Sequence, residues 1–541
     1  MGHAIPYSTG PSNNIATLPG YGTFRGTQIL ATLEENAALV RPIDAWLGIN
    51  YATQPVGNKR FAPVTWPEPV NGTVDASAYG PVCPQPQPGS DQSEACLNFN
   101  VFRTPDVPLN EKLPVFIFTH GGSFVAGSGG SFDGATFVDR SSQPLVVVTY
   151  QYRLSALGSL PSALFEEEGL LNLGLRDQRL FLEFMQKHVS DFGGDPERIT
   201  FGGQSAGGHS VGVHLFHNYD SPDYPAKKLF SQAILSSGSA TARTFPPATY
   251  PLYQKQFSDF MAQVNCPSTP NAEALSCLRS APLPTIQTAQ ANVFAASGLT
   301  WAFQPVSPGP LLEKRGSASG LNGTFFDIPV LTTSCTNEGA GFVPTNLATN
   351  ADFLSFFRNL LPGLTNADIQ DLETLYPDPA TGGPFQPDPA YPVSPQFQRV
   401  SAAYADFAYI CPTQETSVRM QAAGAPTYRA RFNTPNHAPP SQGVPHASDA
   451  AYFNGQPGAE FPDIAALYSS YYASFVVAGD PNRYAVVGAP RWPLYGGLGS
   501  RELMVGSPDR GGVGAEEEES GIRMEQCAWW RDPERMVRLN K

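Results

Sequence analysis

Gly203-Gln-Ser-Ala-Gly207 is the stretch that decides the fold, because it fits the pattern Gly-x-Ser-x-Gly between a strand and a helix. Arg198-Ile-Thr-Phe201 reads as a short strand before it, and Ala206 to Phe216 reads as a helix after it. A serine in a strained strand-to-helix turn projects its hydroxyl above a sheet edge, and flanking glycines keep Cβ atoms out of the crowded turn. The segment therefore predicts a nucleophilic Ser205. Without the strand and the helix it would be a glycine-rich turn with a capping serine.

Other segments extend this alternation of strands and helices. Leu113 to Thr119 and Leu145 to Tyr150 are continuous apolar runs, which are typical of strands covered on both faces. Leu175 to Val189 has the helical spacing of apolar residues expected of a covering helix. Further along, Phe230 to Leu235 and Phe326 to Thr333 read as strands. The order predicts an α/β fold with a mostly parallel central sheet flanked by helices.

The rest of the chain predicts additions to that sheet. Thr244 to Phe325 is helical and punctuated by proline, so we expect helical insertions above the sheet, and Pro462 to Ala478 predicts a Tyr-rich amphipathic helix. The 541 residues would suggest several domains of about 150 residues, but large α/β enzymes often form one unit. Since no repeat or flexible linker is visible, we expect one domain over residues 20–541 and an N-terminal extension over residues 1–19.

A second glycine-rich turn follows the strand that begins at Leu113. It reads Thr119-His-Gly-Gly-Ser-Phe124. Successive glycines let backbone N–H groups approach a ligand closely, and an oxyanion that forms during acyl transfer needs two or three such donors. We predict an oxyanion hole made by the N–H groups of Gly122, Ser123 and Ala206.

The order of residues along the chain selects the general base. After a serine in such a turn, the catalytic acid and then the histidine follow in sequence. Only His437 and His446 of the eight histidines lie beyond the helix of Ser205. His437 lies in a proline-rich loop, whereas His446 opens a turn into an apolar stretch that Asp449 could cap, so we assign His446 as the base. His120 precedes the serine and is interpreted as structural.

Two further sets of residues bear on the chemistry. His209, His214 and His217 lie on the helix after the serine, and an i, i+3 pair could bind a metal. No cysteine or acidic cluster joins them, so we expect neither a metal nor a cofactor. Glu338 follows the predicted strand that ends at Thr333, and an acid just beyond a strand end is held rigidly. On spacing alone, other carboxylates before His446 remain open as the acid.

Charge and hydropathy limit the partners. The net charge is −14, and an acidic surface repels both nucleic-acid backbones and anionic membranes. No apolar run approaches the roughly 20 residues that span a bilayer, so we expect no integral membrane segment. The expected partner is a small-molecule substrate. The oligomeric state is left open.

Cysteines and sequons point to an oxidising compartment. Cys83 and Cys96 enclose a short Pro/Gly/Ser-rich loop, and Cys266 and Cys277 enclose another; both spacings suit loop-closing disulfides, although buried free thiols would fit them too. Two glycosylation sequons agree, Asn71-Gly-Thr73 and Asn322-Gly-Thr324. The first residues do not read as a signal peptide. Either the protein is cytosolic or a signal peptide has been removed; the cysteines and sequons favour the second, so we expect a secreted glycoprotein whose signal peptide is absent from this sequence.

Taken together, these residues resemble the type-B carboxylesterase family, which includes esterases, fungal lipases and cholinesterases. The likeness extends over nearly the whole chain. Its other segments are Gly48-Ile-Asn-Tyr-Ala52, Pro55-Val-Gly57, Arg60-Phe61, Tyr152-Arg-Leu154, Asn172-Leu-Gly-Leu175, Asp177-Gln178, Phe192-Gly-Gly-Asp-Pro196, Gly479-Asp-Pro-Asn482 and Trp492-Pro-Leu-Tyr495. The resemblance implies an α/β-hydrolase fold and ester hydrolysis through an acyl-enzyme, without a cofactor.

The resemblance also assigns individual residues. Glu338 stands where the family has its catalytic acid, and Ser237 resembles a serine that supports the base. Gln204 stands where many relatives carry glutamate, so one buried charge is absent. The pairs Cys83–Cys96 and Cys266–Cys277 resemble the family's first two disulfides. Cys411 and Cys527 resemble a third, which leaves Cys335 unpaired.

One departure from the family bears on the substrate. The loop between Cys83 and Cys96 has only twelve residues, is polar and contains no tryptophan. In the family's lipases this loop is a long apolar lid, and in cholinesterases it carries a tryptophan that binds the choline cation. We therefore expect an esterase for short-chain or soluble esters. A lipase acting at interfaces is the alternative, and a non-catalytic adhesion module is a third possibility.

Overall fold

The apolar runs of the sequence form the middle of one large sheet. The computed structural model describes residues 9–10, 14–33, 36–216, 227–506, 514–519 and 523–541. No helix in these ranges combines the length and the apolarity that crossing a bilayer would need. In chain order the strands are β1 Thr9–Gly10, β2 Ile15–Leu18, β3 Gly22–Arg25, β4 Thr27–Ala31, β5 Ala38–Asn50, β6 Thr73–Asp75, β7 Asn98–Arg103, β8 Leu113–Thr119, β9 Val146–Tyr150, β10 Gly194–Gln204, β11 Gln232–Ser236, β12 Val330–Cys335, β13 Thr427–Asn433, β14 Arg501–Gly506 and β15 Gly514–Glu519.

Helices connect most of the later strands. In chain order they are α1 Gly134–Arg140, α2 Ser155–Gly158, α3 Ala163–Glu167, α4 Leu173–His188, α5 Ala206–Leu215, α6 Pro251–Gln263, α7 Asn271–Ser280, α8 Leu283–Ser297, α9 Gly316–Asn322, α10 Asn350–Leu360, α11 Asn366–Leu375, α12 Phe397–Ala405, α13 Cys411–Ala422, α14 Ala450–Asn454, α15 Pro462–Ala478, α16 Met524–Trp530 and α17 Pro533–Arg538. A π-helical turn, Asp406–Ile410, joins α12 to α13.

The large sheet has the order β1-β4-β5-β7-β9-β8-β10-β11-β12-β13-β14-β15. From β9 to β14 every neighbouring pair is parallel. From β1 to β9 the pairs are antiparallel, as is the last pair, β14 with β15. The prediction of an α/β fold with a largely parallel central sheet is confirmed. Because parallel strands end at one edge, the segments after β8, β10 and β12 meet there.

Both faces of the sheet are covered. On the fully buried strand β8, Val115 and Ile117 pack into one apolar cluster, while Phe116 and Phe118 pack into the cluster on the opposite face. This alternation explains why the strand reads as a continuous apolar run.

The helical insertions form two further apolar clusters. Helices α6 to α8 contribute to one, together with Phe61 and Phe165, and helices α10 to α13 contribute to the other, together with Trp530. Helix α15 has the predicted bounds, but the prediction that it is amphipathic is wrong: Tyr468 and Tyr472 are buried and so is most of its length. It lies in the core beneath the sheet because Tyr, Ser and Ala can pack on all sides of a helix.

At the N-terminus, Ile15–Leu18 pairs with Gly22–Arg25 in a small separate sheet, and the side chains of Ala16 and Leu18 pack into the main core. The division into an extension over residues 1–19 and one domain over residues 20–541 stays a prediction.

Three disulfides close loops of different length. The structure pairs Cys83 with Cys96 and Cys266 with Cys277, 13 and 11 residues apart. It also pairs Cys411 with Cys527, which are 116 residues apart. The remaining cysteine, Cys335, is free and buried.

The loop lengths predict an order of stability losses. On the chain-entropy estimate, a loop of this larger size contributes about 5 kcal/mol and the Cys83–Cys96 loop about 3 kcal/mol. The double variant Cys411→Ser/Cys527→Ser should therefore lower Tm more than Cys83→Ser/Cys96→Ser does, as measured by scanning calorimetry at a fixed heating rate. The reverse order would show that loop length does not determine what these disulfides contribute.

Candidate active site

Ser205 occupies a strained turn between β10 and α5. Its backbone has φ 58° and ψ −125°, a conformation that residues other than glycine rarely adopt. The turn is tied to the neighbouring strand β11, since the Ser205 N–H donates to the Ser236 carbonyl at 2.9 Å. The strain is supported by the surrounding structure and holds the hydroxyl at the sheet edge.

The two glycines of the motif, Gly203 and Gly207, are required because neighbouring backbone atoms leave no room for a Cβ atom at either position. A Cβ on Gly207 would lie 1.9 Å from the carbonyl oxygen of Thr119, and a Cβ on Gly203 would lie 2.4 Å from the backbone carbon of Gly207. The start of α5 therefore packs directly against the end of β8. A larger residue at either position would push the serine turn away from the neighbouring strand.

His446 lies between Ser205 and Glu338. Its Nε2 atom is 2.8 Å from the Ser205 Oγ atom, and its Nδ1 atom is 2.5 Å from the Glu338 Oε2 atom. Glu338 is fully buried, and its other carboxylate oxygen accepts hydrogen bonds from the Ser237 hydroxyl at 2.6 Å and the Cys335 N–H at 2.7 Å. The carboxylate is thus fixed on both sides and can orient the imidazole.

The backbone holds His446 next to Glu338. The Asn337 N–H donates to the Val444 carbonyl at 2.9 Å, and the Val444 N–H donates back to the Asn337 side chain at 3.0 Å. These two bonds tie the loop after β13 to the turn after β12. Glu338 directly follows Asn337, and His446 is two residues after Val444, so this contact sets their separation.

The loop after β8 lies against the serine. A Cβ on Gly121 would lie 3.0 Å from the Ser205 Cβ atom, and Gly122, Ser123 and Phe124 all have positive φ. The Gly122 carbonyl accepts from the N–H of Ala126 at 2.9 Å, which closes the loop. Successive left-handed residues turn N–H groups toward a common point.

The fourth residue in this arrangement is Gln204. Its Nε2 atom lies 3.4 Å from the Nε2 atom of His446, and a Cβ on Gly121 would lie 3.0 Å from its Oε1 atom. The uncharged amide sits between the serine turn and the loop after β8. It therefore places no charge beside the base.

Two aromatic rings that the sequence did not indicate enclose the base. The Tyr409 ring lies 4.3 Å and the Phe342 ring 5.3 Å from the imidazole of His446, centre to centre. Tyr409 belongs to the π-helical turn Asp406–Ile410, and burial raises the pKa of its phenol well above the usual value. A local widening of a helix such as this redirects one side chain, and it leaves no clear periodic signal in the sequence.

Asp449 does not act as a helix cap. It stands at the N-cap position of α14, but its side chain makes no capping hydrogen bond. Instead its Oδ2 atom accepts from the Ser236 hydroxyl at 2.6 Å. Burial raises the pKa of Asp449 to about 6, and the nearby Glu338 carboxylate acts in the same direction. Since Ser236 also accepts the Ser205 N–H, Asp449 supports the serine turn from behind.

The other histidines lie in different environments. His437 is exposed, and its Nε2 atom lies 3.4 Å from the Gly458 carbonyl oxygen. The structure therefore brings His446 and not His437 to the serine. His120 stacks on Tyr152 and contacts the Gly121 carbonyl, and burial lowers the pKa of His120 to about 4.

The helix after the serine shows no sign of a metal site. His209 is buried beside Tyr409, and the Nε2 atom of His214 lies 3.1 Å from the Gln178 side chain. His217 lies outside the described residues. Within the residues that the structure covers, no group of His, Cys, Asp and Glu side chains could hold a metal ion.

Comparison with known proteins agrees with this architecture. The sequence profile described as "Carboxylesterase family" matches residues 12–530. The chain belongs to the carboxylesterase family. As a member, it is a serine ester hydrolase with the α/β-hydrolase fold.

Three relatives illustrate the range of this carboxylesterase family. The chain is 48% identical to Secreted lipase 4 of Gibberella zeae, over 99% of this chain and 96% of that protein. It is 28% identical to Lipase 5 of Diutina rugosa, over 83% of this chain and 86% of that protein. The crystal structure of Aspergillus niger EstA superposes with a TM-score of 0.82 at 27% identity, over 97% of this chain and 99% of EstA.

The buried Asp449 predicts a pH-dependent stability difference. Because its folded-state pKa of about 6 exceeds the unfolded value of about 3.9, the folded state loses stability as pH rises from about 4 to about 6. Asp449→Asn cannot ionise and should escape this loss, which is at most about 3 kcal/mol. We expect the Tm of Asp449→Asn, relative to that of the unchanged protein, to be higher at pH 7.5 than at pH 4. An equal Tm difference at both pH values would contradict this assignment.

Proposed function

We propose that this carboxylesterase hydrolyses esters through Ser205 as nucleophile, His446 as base and Glu338 as the acid that orients the base. The observation that carries the proposal is the imidazole of His446, which lies within hydrogen-bond distance of both other side chains. The order of these three residues along the chain is the order expected for this fold.

The proposed chemistry has two halves. Ser205 attacks the ester carbonyl while His446 accepts its proton, and Glu338 stabilises the resulting imidazolium. The N–H groups of Gly122, Ser123 and Ala206 stabilise the oxyanion, for which the N-terminus of α5 and the left-handed turn after β8 are suited. His446 then protonates the departing alcohol, and water repeats the cycle on the acyl-enzyme.

Substrate preference follows from the loop between Cys83 and Cys96. This loop contains no helix and is fixed by polar contacts. Glu94 forms a two-pronged ion pair with Arg60 at 2.6 and 2.7 Å, and Gln85 exchanges two hydrogen bonds with Gly127, at 2.9 and 3.1 Å. A lid must leave the site and expose an apolar underside at an interface, and a polar, pinned loop supports neither step. We infer a preference for dissolved, short-chain esters.

A lipase acting at interfaces is the second candidate, because Secreted lipase 4 and Lipase 5 carry that name. The word "secreted" in the first name, together with the three disulfides, supports the proposal that this protein is also extracellular. A non-catalytic adhesion role is disfavoured by the intact arrangement of Ser205, His446 and Glu338.

The triad is tested by substitution. Ser205→Ala and His446→Ala should each lower kcat on 4-nitrophenyl butyrate by about 10⁴-fold or more, and the double variant should lose little beyond either single one. Glu338→Ala should also lose several orders of magnitude. His437→Ala is the matched control and should retain activity. If His446→Ala stayed active and His437→Ala were inactive, the base would be His437 and the assignment of His446 would be wrong.

Interfacial kinetics separate the two candidates. The rate of tributyrin hydrolysis should saturate below the solubility limit of the substrate and continue smoothly across it, because the polar loop between Cys83 and Cys96 offers no apolar underside for oil to stabilise. A sharp rise at the limit, with little hydrolysis below it, would establish the lipase alternative and require a lid elsewhere in the chain.

A further inference from the structure

A cavity of about 190 Å³ is lined in part by Arg243 and Gln304, whose side chains both contact Ser123 in the loop after β8. Its wall includes apolar side chains such as Leu299 and Leu360 and two arginines, Arg243 and Arg538. Among the described residues, no aspartate or glutamate lines it. In a protein of net charge −14, a cavity lined by cations without an acid is set apart from the general surface.

The two arginines differ in how their charge is compensated. Arg538 donates to the Asp368 carboxylate at 2.8 Å. Arg243 is 4% exposed, and none of its hydrogen bonds goes to a carboxylate: it contacts Gln304, Tyr409 and Ser123 at 3.3, 3.3 and 3.4 Å. These distances are long for N–H···O bonds.

Two other buried arginines have shorter hydrogen bonds. Arg153 forms an ion pair with Asp177 at 2.6 Å, and Arg103 donates to three backbone carbonyls at 3.1, 2.5 and 2.9 Å. The Nε atoms of both Arg243 and Arg103 are buried and have no partner among the described residues. Burying a charge with so little compensation is costly, so a ligand that supplies the missing anion would be bound favourably.

Arg243 is connected to the proposed catalytic machinery on two sides. One is Ser123 of the loop after β8, whose carbonyl also accepts from the Gln304 side chain at 2.8 Å. The other is Tyr409, whose ring packs on the imidazole of His446. A group bound at Arg243 would therefore be separated from His446 by the Tyr409 ring, and a substrate long enough to span that distance would engage both Arg243 and Ser205.

The guanidinium is oriented by Trp301, whose ring centre lies 4.0 Å from it. Trp301 has φ 51°, a conformation that a bulky residue rarely adopts and that the surrounding structure must stabilise. A planar guanidinium stacked on an aromatic ring presents its edge, and that edge matches the two oxygens of a carboxylate.

We propose that Arg243 forms a carboxylate-binding subsite, so that the preferred substrates are esters that also carry a free carboxylate. The subsite deepens the proposed ester hydrolysis and rests on it. Such substrates are monoesters of dicarboxylic acids, with the charge on the acyl side, or esters of hydroxy acids, with the charge on the alcohol side. Both are soluble, which agrees with the polar, pinned loop between Cys83 and Cys96.

The test compares each charged ester with its neutral isostere. For the acyl side the pair is ethyl hydrogen adipate and the same ester with a terminal carboxamide. For the alcohol side it is the butyrate ester of glycolic acid and that of glycolamide. We expect kcat/KM, measured in a pH-stat at pH 7.5, to favour the carboxylate over the carboxamide by about tenfold or more in one of the pairs. The pair that shows the preference locates the charge.

Substitutions then assign the preference to one side chain. Arg243→Gln should bring the ratio of kcat/KM for the charged and neutral esters down to about one or below, while Arg243→Lys should retain part of it. Arg483→Gln, which removes a charge from an exposed arginine, is the control for net charge and should leave the ratio unchanged.

Three outcomes would overturn the subsite. The first is a ratio of kcat/KM, charged ester over neutral ester, of one or below in both pairs with the unchanged protein. The second is a preference for the charged ester that persists in Arg243→Gln. The third is a preference that Arg483→Gln removes as completely as Arg243→Gln does. The first needs no variant, so it decides the matter even if Arg243→Gln does not fold. Hydrolysis of the neutral carboxamide esters, and its loss in Ser205→Ala, tests the proposed function separately.

Discussion

The contact between the start of α5 and the end of β8 is the constraint on which the rest of the site depends. The backbone at Gly207 approaches the Thr119 carbonyl so closely that no side chain fits between them. This contact holds Ser205 in a backbone conformation that costs about 1–3 kcal/mol. It also brings the loop after β8 against the serine. One packing constraint therefore positions both the Ser205 hydroxyl and the loop after β8.

The parallel part of the sheet does the remaining assembly. Ser205, Glu338 and His446 are far apart in sequence, but each follows a strand of the same parallel block, and those strands end at one edge. The exchange of hydrogen bonds between Asn337 and Val444 then fixes acid and base relative to each other. Behind them, Ser236, Ser237 and Asp449 form a buried polar layer that satisfies the carboxylate and the turn.

Much of this arrangement could be read from the sequence, because short segments carry it. Gly-x-Ser-x-Gly between a strand and a helix specifies a turn by local sterics, and the continuous apolar run of β8 specifies a strand buried on both faces. The third disulfide and the role of Glu338 required resemblance to a family, since spacing alone left other partners open. The fold class followed from strands alternating with helices.

The residues that the sequence did not reveal are those whose role depends on a distant neighbour. Tyr409 reaches His446 from a π-helical turn, Arg243 meets Ser123 and Gln304 from separate segments, and Asp449 looks like a cap until Ser236 is placed beside it. Helix α15 was predicted to be amphipathic, yet most of it is buried, and Tyr468 and Tyr472 hydrogen-bond each other in the core. In each case tertiary contact determined the environment, and no local pattern encodes it.

The central claim is that one serine, activated by one histidine, carries the covalent step. Labelling with a fluorophosphonate and locating the modified residue by mass spectrometry tests it most directly, because the reagent reacts only with an activated serine. The account predicts a single modified site at Ser205 in the unchanged protein, complete loss of esterase activity at one label per chain, and little labelling in His446→Ala. A label on another residue, or complete inactivation with Ser205 unmodified, would contradict it.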